Sequence, residues 1–138
     1  MKEPVIDDME VRVSLRDESD VVVARRTGCE LASRLGMSRV SVAALATAVT
    51  EIARNIVVHA WAGEIVFGMA THRSRRGIVV IARDDGPGIT NTEEAMQDGF
   101  STSDGLGMGL PSARRLMDEF DLSSLPGKGT MITMRKWS

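Results

Sequence analysis

The feature that most constrains the fold of this 138-residue chain is a pair of apolar segments joined by a charged connection. The segments are EIVFGMA (residues 64–70) and GIVVIAR (residues 77–83), and the connection is THRSRRG. Short apolar runs bounded by charged or turn-forming residues are typical of β-strands, and strands that follow each other in the chain usually pair. This region therefore predicts a β-hairpin or an adjacent pair of strands.

The residues that precede this pair predict one strand and two helices. Apolar and polar residues alternate over MEVRVSL (residues 9–15), as in a strand with one buried face. A first helix, capped by Ser19 or Asp20, is expected to end at Gly36, and a second helix is expected over about residues 38–59. The apolar positions of the two helices are Val22, Val23, Leu31 and Leu35 in the first and Val42, Leu45, Val49, Ile52 and Ile56 in the second.

The residues that follow the pair begin with an irregular segment. DDGPGI interrupts the regular pattern, and NTEEAMQDG favours a short helix. A third helix is expected to begin at Pro111 and to carry Ala113, Leu116, Met117 and Phe120. The last segment, DLSSLPGKGTMITMRKW, predicts two short strands around a Pro-Gly-Lys-Gly turn.

This order of elements predicts the fold class α/β. A strand, two helices, two strands, an irregular segment, a helix and two strands fit a two-layer α/β sandwich, in which helices cover one face of a mixed sheet. A chain of this length with 43% hydrophobic residues is long enough for one core. We therefore expect a single domain over residues 1–138.

Charge and composition narrow the classes of partner. The formal net charge of -2 gives no overall basic field, so nucleic acid is not an expected partner. The N-terminal residues lack the apolar core of a signal peptide, and no apolar run approaches the length of a membrane span. The protein is therefore expected to be soluble and cytoplasmic, without membrane contact. Its single cysteine, Cys29, lies in an apolar helical pattern, which predicts a buried thiol.

Two polar residues of the second predicted helix are candidates for chemistry. Glu51 and Asn55 are one helical turn apart, so their side chains lie on the same side of the helix, off the apolar stripe. One interpretation is an ordinary solvated face, on which Glu51 forms a weak ion pair with Arg54. The other is functional, since the carboxylate can accept a proton and the amide oxygen can bind a hard cation.

A second candidate lies in IARDDGPGI, where Asp84 ends an apolar strand and is followed by Gly86 and Gly88. A tight turn explains Asp-Gly-Pro-Gly on its own. The alternative is that a ligand approaches the backbone where only glycine leaves space. Asp84 then accepts a hydrogen bond from an exocyclic amine at the bottom of a pocket.

A glycine-rich loop precedes the third predicted helix. In GLGMGL (residues 105–110), Gly105, Gly107 and Gly109 alternate with apolar residues. Backbone N–H groups ahead of a helix can bind an anion, so the loop is either a flexible linker or a phosphate-binding loop. It is not a Walker loop, because no Gly-Lys-Ser/Thr follows, and it does not follow a strand as a dinucleotide-binding loop does. Polyphosphate binding therefore depends on the other motifs.

In this order, the motifs resemble those of the ATPase superfamily that contains gyrase, Hsp90-type chaperones, histidine kinases and MutL. The resemblance rests on EIARN, DDGPG and GLGMGL, with GKGT as a fourth motif. The α/β sandwich of that superfamily matches the predicted order of elements. The length leaves no room for a transducer or dimerisation segment. VTEIARNI and EAMQDGFSTSDGLGMGLPSARRLMDEF are similar to the stand-alone RsbT-type serine/threonine kinases of the stressosome, which resemble anti-sigma factors.

The resemblance implies a role for each motif. Glu51 corresponds to the catalytic general base, Asn55 to the Mg²⁺ ligand, and Asp84 to the residue that binds the adenine amine. The implied ATP-binding residues are Asn55, Asp84, Gly86, Gly88, Gly105, Leu106, Gly107, Met108, Gly109, Leu110 and Thr130. Asp104 departs from the pattern, because a small residue is expected there and a carboxylate close to the phosphates repels them.

The resemblance also implies an activity and its partners. An RsbT-type kinase is expected to transfer the γ-phosphate of ATP, with Mg²⁺, to STAS-domain scaffold or antagonist proteins of the RsbS and RsbR kind. It then activates a PP2C-type phosphatase in sigma-factor stress signalling. The alternative is an anti-sigma factor or an ATP-gated binding module that sequesters a partner protein. Both functions use the same nucleotide pocket, so they differ in the partner surface.

Overall fold

The computed structural model describes residues 8–59, 62–84, 110–125 and 129–138. These residues form strands β1 (Asp8–Leu15), β2 (Gly63–His72), β3 (Arg75–Asp84), β4 (Glu119–Leu125) and β5 (Gly129–Trp137), and helices α1 (Glu18–Arg34), α2 (Arg39–His59) and α3 (Leu110–Leu116). Their order along the chain matches the predicted order. The segment NTEEAMQDG, which was expected to form a short helix, lies outside the described residues.

The strands form one sheet in the order β1-β2-β3-β5-β4. The four neighbouring pairs are all antiparallel, whereas the sequence analysis expected a mixed sheet. Two of these pairs, β2 with β3 and β4 with β5, are joined by short connections. Such connections can join only antiparallel strands, because a parallel pair needs a long crossover.

The predicted hairpin is formed by β2 and β3, but its turn is shorter than the charged connection. Pairing continues to His72 and Arg75, so the turn consists of Arg73 and Ser74 alone. Their φ angles are 51° and 69°, in the left-handed region that a two-residue type I′ turn requires. The other charged residues of the connection therefore belong to the strands.

The helices cover one face of the sheet, which confirms the two-layer α/β sandwich. Val13, Ile65, Ala82 and Ile132 occupy paired positions across neighbouring strands, and directly paired residues share a face. These residues join side chains of all three helices in one buried core. A smaller buried cluster on the opposite face contains Val66, Ala70, Val79 and Ile81.

The start of α1 is fixed by Asp17 and not by Ser19 or Asp20, which were the predicted caps. The Asp17 carboxylate accepts a hydrogen bond from the backbone N–H of Ser19 at 3.0 Å. The Asp20 carboxylate accepts one in return from the backbone N–H of Asp17, so the two acids form a capping box. The end of α1 agrees with the prediction, because Gly36 has a φ of 78°.

At the start of α1, the buried valine is Val21, which precedes the two valines that were predicted to be apolar contacts. Val21 is buried, whereas Val22 and Val23 are 60% and 40% exposed. The buried positions of α1 are Val21, Ala24, Gly28, Leu31 and Ala32. These positions follow a spacing of three and four residues, and only the first of three consecutive valines falls on that stripe.

Helix α2 supplies much of the core. Leu45, Val49, Ile52 and Ile56 are buried as predicted, and Val42 packs against them partly buried. The segment Arg39–Val58 is long and apolar enough to cross a membrane by length and composition alone. Core helices satisfy the same criterion, and the apolar stripe of α2 packs against the sheet.

Helix α3 ends earlier than predicted. Its last residue is Leu116, Met117 is buried just after it, and Phe120 lies in β4 opposite Met134. The backbone N–H of Asp118 donates to the carbonyl of Arg135 at 3.0 Å. The chain therefore joins the sheet directly after the helix, which prevents another helical turn.

Strand β1 lies at an edge of the sheet and carries charged side chains on the face away from the helices. Arg12 forms ion pairs with Glu10 at 2.7 Å and with Glu64 at 3.1 Å. The hydrogen bond to Glu64, together with the charge of Glu10, raises the pKa of Arg12 above its ordinary value. Charged side chains on an edge strand disfavour pairing with a strand of another molecule.

We predict that replacing Asp17 by alanine lowers the melting temperature by a few degrees at pH 7. Hydrogen bonds from the Ser19 hydroxyl and then the Asp20 backbone lower the pKa of Asp17, so its charged form stabilises the start of α1. This contribution is present above the ordinary pKa of about 4 and is lost as the pH falls through the lower, folded-state value.

Thermal unfolding followed by circular dichroism between pH 7 and pH 2 measures this dependence. Asp17→Asn is the control, because an asparagine retains the acceptor oxygen and should keep most of the stability at pH 7. A stability difference between wild type and Asp17→Ala that does not shrink at low pH would contradict the assignment.

Candidate functional site

The first part of the site is a row of three residues at one end of the sheet. Asp84, the last residue of β3, pairs with Gly63 of β2 on one side and with Thr130 of β5 on the other. Asp84 lies two residues after Ala82, so it shares the helix-covered face with that buried residue. Asp84 and Thr130 are half-buried at the edge of the core. Two of the predicted site residues are therefore direct neighbours.

Helix α2 brings Glu51 and Asn55 to the same end of the sheet. Both side chains are half-buried, and they flank the buried stripe that contains Ile52 and Ile56. The turn that carries Asn55 therefore lies close to the core, and its polar side chains leave the helix beside the apolar contact with the sheet. This arrangement places the predicted catalytic and metal-binding residues on one helical turn.

Gly63 determines how closely this turn approaches Asp84. A Cβ atom at Gly63 would lie 2.7 Å from Cγ2 of Ile56, 3.2 Å from Cβ of Asp84 and 2.4 Å from the carbonyl oxygen of Arg83. No side chain fits there, so only glycine allows Ile56 to pack directly beside Asp84. Because Asn55 precedes Ile56, this contact joins the helical and the strand parts of the site. Gly63 was not among the predicted site residues, although the pattern of the chain changes from helix to strand there.

The amide of Asn55 is the unusual polar group of the site. Its Nδ2 atom is buried and has no hydrogen-bond partner in the part of the chain that the structure describes. A buried polar group without a partner costs about 1–3 kcal/mol, and such groups are uncommon in native proteins. An amide held in this state is expected where a ligand completes its interactions.

The carboxylate of Glu51 is not held by its neighbour on α2. Arg54 forms an ion pair with Glu18 of α1 at 3.6 Å, between two exposed side chains. The interpretation of this face as a surface ion pair between Glu51 and Arg54 therefore has no support in the described structure. Glu51 is thus a half-buried carboxylate one turn from an amide whose nitrogen finds no hydrogen-bond partner among the residues that the structure describes.

The glycine motifs lie between two described anchors. Asp84 ends β3 at one side, and Leu110, which is 1% exposed, begins α3 at the other. Leu110 and Ala113 belong to the same core as α2, so α3 begins against the helix that carries Glu51. The glycines and apolar residues predicted to bind a ligand between these anchors are Gly86, Gly88, Gly105, Leu106, Gly107, Met108 and Gly109, and they lie outside the described residues, as does Asp104.

The donor set fits a magnesium ion that arrives with a nucleotide. Within the described ranges, no group of three or more His, Cys, Asp or Glu side chains could hold a metal ion by itself. Mg²⁺ usually keeps several waters and takes one or two protein oxygens together with substrate phosphates. A neutral amide oxygen, as in Asn55, is one of the protein oxygens that can serve in this way.

Comparisons with known proteins give the site a context. Residues 13–136 match the histidine kinase-like ATPase domain. The serine/threonine-protein kinase RsbT of Bacillus subtilis is 46% identical over 91% of this chain and 94% of its own length. An anti-sigma F factor of Caldanaerobacter subterraneus is 34% identical over 83% of this chain and 82% of its own length. An anti-sigma F factor of Geobacillus thermodenitrificans is 31% identical over 94% of this chain and 91% of its own length.

We predict that Gly63→Ala destabilises the fold by about 1–3 kcal/mol, because the added methyl group overlaps a backbone carbonyl that cannot move freely. Urea unfolding measures the change. Gly28→Ala is the matched control, since its Cβ would meet side chains and no backbone, with the edge of the Phe67 ring at 3.0 Å and Cγ2 of Val49 at 3.7 Å, and alanine favours the helix. An equal loss for both variants would refute a special role of the contact between Gly63 and Ile56.

We also predict that Asn55→Leu leaves the ligand-free protein as stable as wild type or more stable by about 1 kcal/mol, because it removes a buried amide nitrogen that has no hydrogen-bond partner among the described residues. Thermal and urea unfolding of the two proteins without added ligand provide the measurement. Asn55→Asp is the contrast, because it adds a carboxylate one turn from Glu51 and should destabilise the protein. A large loss of stability in Asn55→Leu would indicate a structural role for this amide.

Proposed function

The chain belongs to the histidine kinase-like ATPase family, and from this membership we propose that it transfers the γ-phosphate of ATP to a serine or threonine of a STAS-domain protein. Serine/threonine kinase activity has the firmest support, since the Bacillus subtilis relative that is 46% identical is a serine/threonine-protein kinase. The STAS-domain scaffold or antagonist proteins, of the RsbS and RsbR kind, follow from the resemblance of the motifs to RsbT-type kinases.

One observation carries the proposal. The half-buried pair Glu51 and Asn55 lies on the helical turn that packs beside Asp84, and the Asn55 amide nitrogen has no partner among the described residues. The reaction needs three protein groups: a general base, a metal ligand and a carboxylate that hydrogen-bonds to the adenine. A merely structural surface would give the buried amide a partner.

Each residue then has a defined task. Bound Mg²⁺ supplies positive charge that offsets the charge of the phosphates. The Asn55 amide oxygen holds the metal, and the Asp84 carboxylate accepts a hydrogen bond from the exocyclic amine of adenine. Thr130 adjoins Asp84 across the β3–β5 pair and contributes to the same end of the pocket.

Glu51 receives the proton of the substrate hydroxyl as the hydroxyl oxygen attacks the γ-phosphorus, while the bond from the γ-phosphorus to the bridging oxygen of the β-phosphate breaks and ADP leaves. A half-buried carboxylate that forms no ion pair within the described residues can accept that proton. Gly86, Gly88 and the segment 105–110 are proposed to approach the nucleotide through their backbone, with N–H groups donating to phosphate oxygens. Phosphoryl transfer depends mainly on such positioning and charge stabilisation.

The cellular role extends the same proposal. Phosphorylation of a STAS-domain antagonist releases the kinase, which then activates a PP2C-type phosphatase in sigma-factor stress signalling. We place this exchange in the cytoplasm. Exchange between protein partners agrees with the relatives. They include two anti-sigma F factors that align with this chain over 82% and 91% of their own length.

The alternative function is an anti-sigma factor or an ATP-gated binding module that sequesters a partner. Relatives named anti-sigma F factor, at 31–34% identity, favour it. Incubation of the protein with ATP and a STAS-domain protein, and separately with sigma factors, separates the two functions. Phosphate on the STAS-domain protein supports the kinase, whereas ATP-dependent capture of a sigma factor without any transfer supports the alternative.

We predict that Glu51→Gln binds ATP and Mg²⁺ but transfers at least about a hundredfold less phosphate, because it lacks the general base. Transfer of labelled γ-phosphate to a STAS-domain protein measures activity, and the rise in melting temperature with saturating ATP and Mg²⁺ measures binding. Glu30→Gln, a change at an exposed carboxylate of α1, is the matched control and should retain full activity.

Undiminished phosphate transfer by Glu51→Gln would show that Glu51 is not the general base. Failure of ATP and Mg²⁺ to stabilise even the wild-type protein would remove the nucleotide site as a whole, because a ligand that binds the native state must stabilise it.

A further inference from the structure

A groove runs along the outer surface between α1 and α2, on the side of the helices away from the sheet. It has a volume of 330 Å³ and contains Cys29, Met37, Val42 and Ala46. Met37 and Ala46 are buried, and Cys29 and Val42 are half-buried, so the bottom of the groove is apolar. The prediction of a buried thiol was therefore wrong, because Cys29 is half-buried and lines this groove.

Two arginines flank the apolar bottom. Arg25 of α1 and Arg39 at the start of α2 line the groove, and both are exposed. Neither forms an ion pair with an acidic side chain of the described residues, and no carboxylate lines the groove. The groove therefore combines an apolar surface with two uncompensated positive charges.

The helices that form the groove are antiparallel, because Glu18 at the start of α1 pairs with Arg54 near the end of α2. Arg39 consequently lies beside the end of α1, whereas Arg25 lies roughly 14 Å back along it at 1.5 Å per residue. The two charges are thus separated along the groove by two to three turns of a helix.

We propose that this groove binds one amphipathic helix of a partner protein, with apolar side chains entering the groove and a carboxylate near each end. The carboxylates complement Arg25 and Arg39, and their spacing matches a segment of about three turns. A helix suits the surface better than an extended strand, because α1 and α2 use their backbone groups internally and offer a strand no partners. The partner helix therefore lies along the groove, with one face inserted between Arg25 and Arg39.

The groove is separate from the nucleotide site. Ala46, the groove residue nearest to Glu51 along α2, lies about 8 Å before it at 1.5 Å per residue, and the two side chains are turned apart by roughly 140° about the helix axis. Binding at the groove therefore does not depend on the proposed kinase activity. Experiments on ligand-free protein test the groove alone, so its failure and that of the kinase proposal are distinguishable.

Cys29 provides a direct test, because it is the single cysteine of the chain and lies in the groove. The probe is a synthetic helical peptide of about four turns, with leucines along one face and glutamates near both ends. A matched peptide carries lysines in place of the glutamates. Saturating acidic peptide should slow the reaction of Cys29 with a maleimide at least about fivefold, and the lysine peptide should not.

Charge reversal then tests the two arginines. The double variant Arg25→Glu/Arg39→Glu should bind the acidic peptide at least about tenfold more weakly by fluorescence anisotropy and should bind the lysine peptide instead. Arg16→Glu/Arg26→Glu, which changes the charge equally at exposed positions outside the groove, is the matched control and should retain binding. Circular dichroism verifies that each variant is folded.

Several outcomes would overturn the proposal. Equal protection of Cys29 by both peptides would show that charge does not select the partner, and protection by neither would show that the groove does not bind a helix. Protection that appears when the protein alone is concentrated would identify a second copy of this chain as the occupant. Retained binding of the acidic peptide by Arg25→Glu/Arg39→Glu would show that the two arginines do not recognise the partner.

Discussion

The packing of α2 on the sheet is the contact on which the rest of the structure depends. Its buried stripe ends at Ile56, which rests directly on the bare backbone of Gly63. This contact buries the apolar face of the longest helix and sets its height above β2 and β3. It also decides where the polar side chains beside the stripe emerge. Stability and the placement of Glu51 and Asn55 thus have the same physical origin, since both follow from one helix face meeting one sheet edge.

The site shows the cost of that arrangement. A buried polar atom without a hydrogen-bond partner weakens the folded state, and Nδ2 of Asn55 is in that condition within the described residues. Proteins retain such groups where function requires them, and stability elsewhere must compensate. Here the compensation comes from a continuous apolar core that includes all three helices and the covered face of the sheet. The groove between α1 and α2 lies on the other side of those helices, so one helical layer faces the core and offers a surface for a partner.

Much of the fold was accessible from local patterns. The order of elements, the extent of α2 and the buried stripe of α2 agree with the sequence prediction, because helical and strand periodicities are strong in those segments. Among the details that failed, three show how a local pattern can mislead. The cap of α1 is Asp17, because several neighbouring residues could cap and only the backbone decides among them. Val21 is buried and Val22 is not, because a run of valines hides the helical phase. Phe120 belongs to β4, because the chain bonds to β5 directly after α3.

The sequence by itself determined the chemical groups of the site and their order: a carboxylate and an amide one helical turn apart, an aspartate at a strand end, and glycine motifs after it. Helical spacing and strand ends depend on residues that are close together in the sequence, so they can be predicted from the sequence. Only the tertiary structure decided that Asp84 lies between Gly63 and Thr130, that Gly63 lets Ile56 pack beside it, and that Cys29 faces a groove. These facts depend on strand register and helix packing between residues distant in the chain, and no local pattern encodes them.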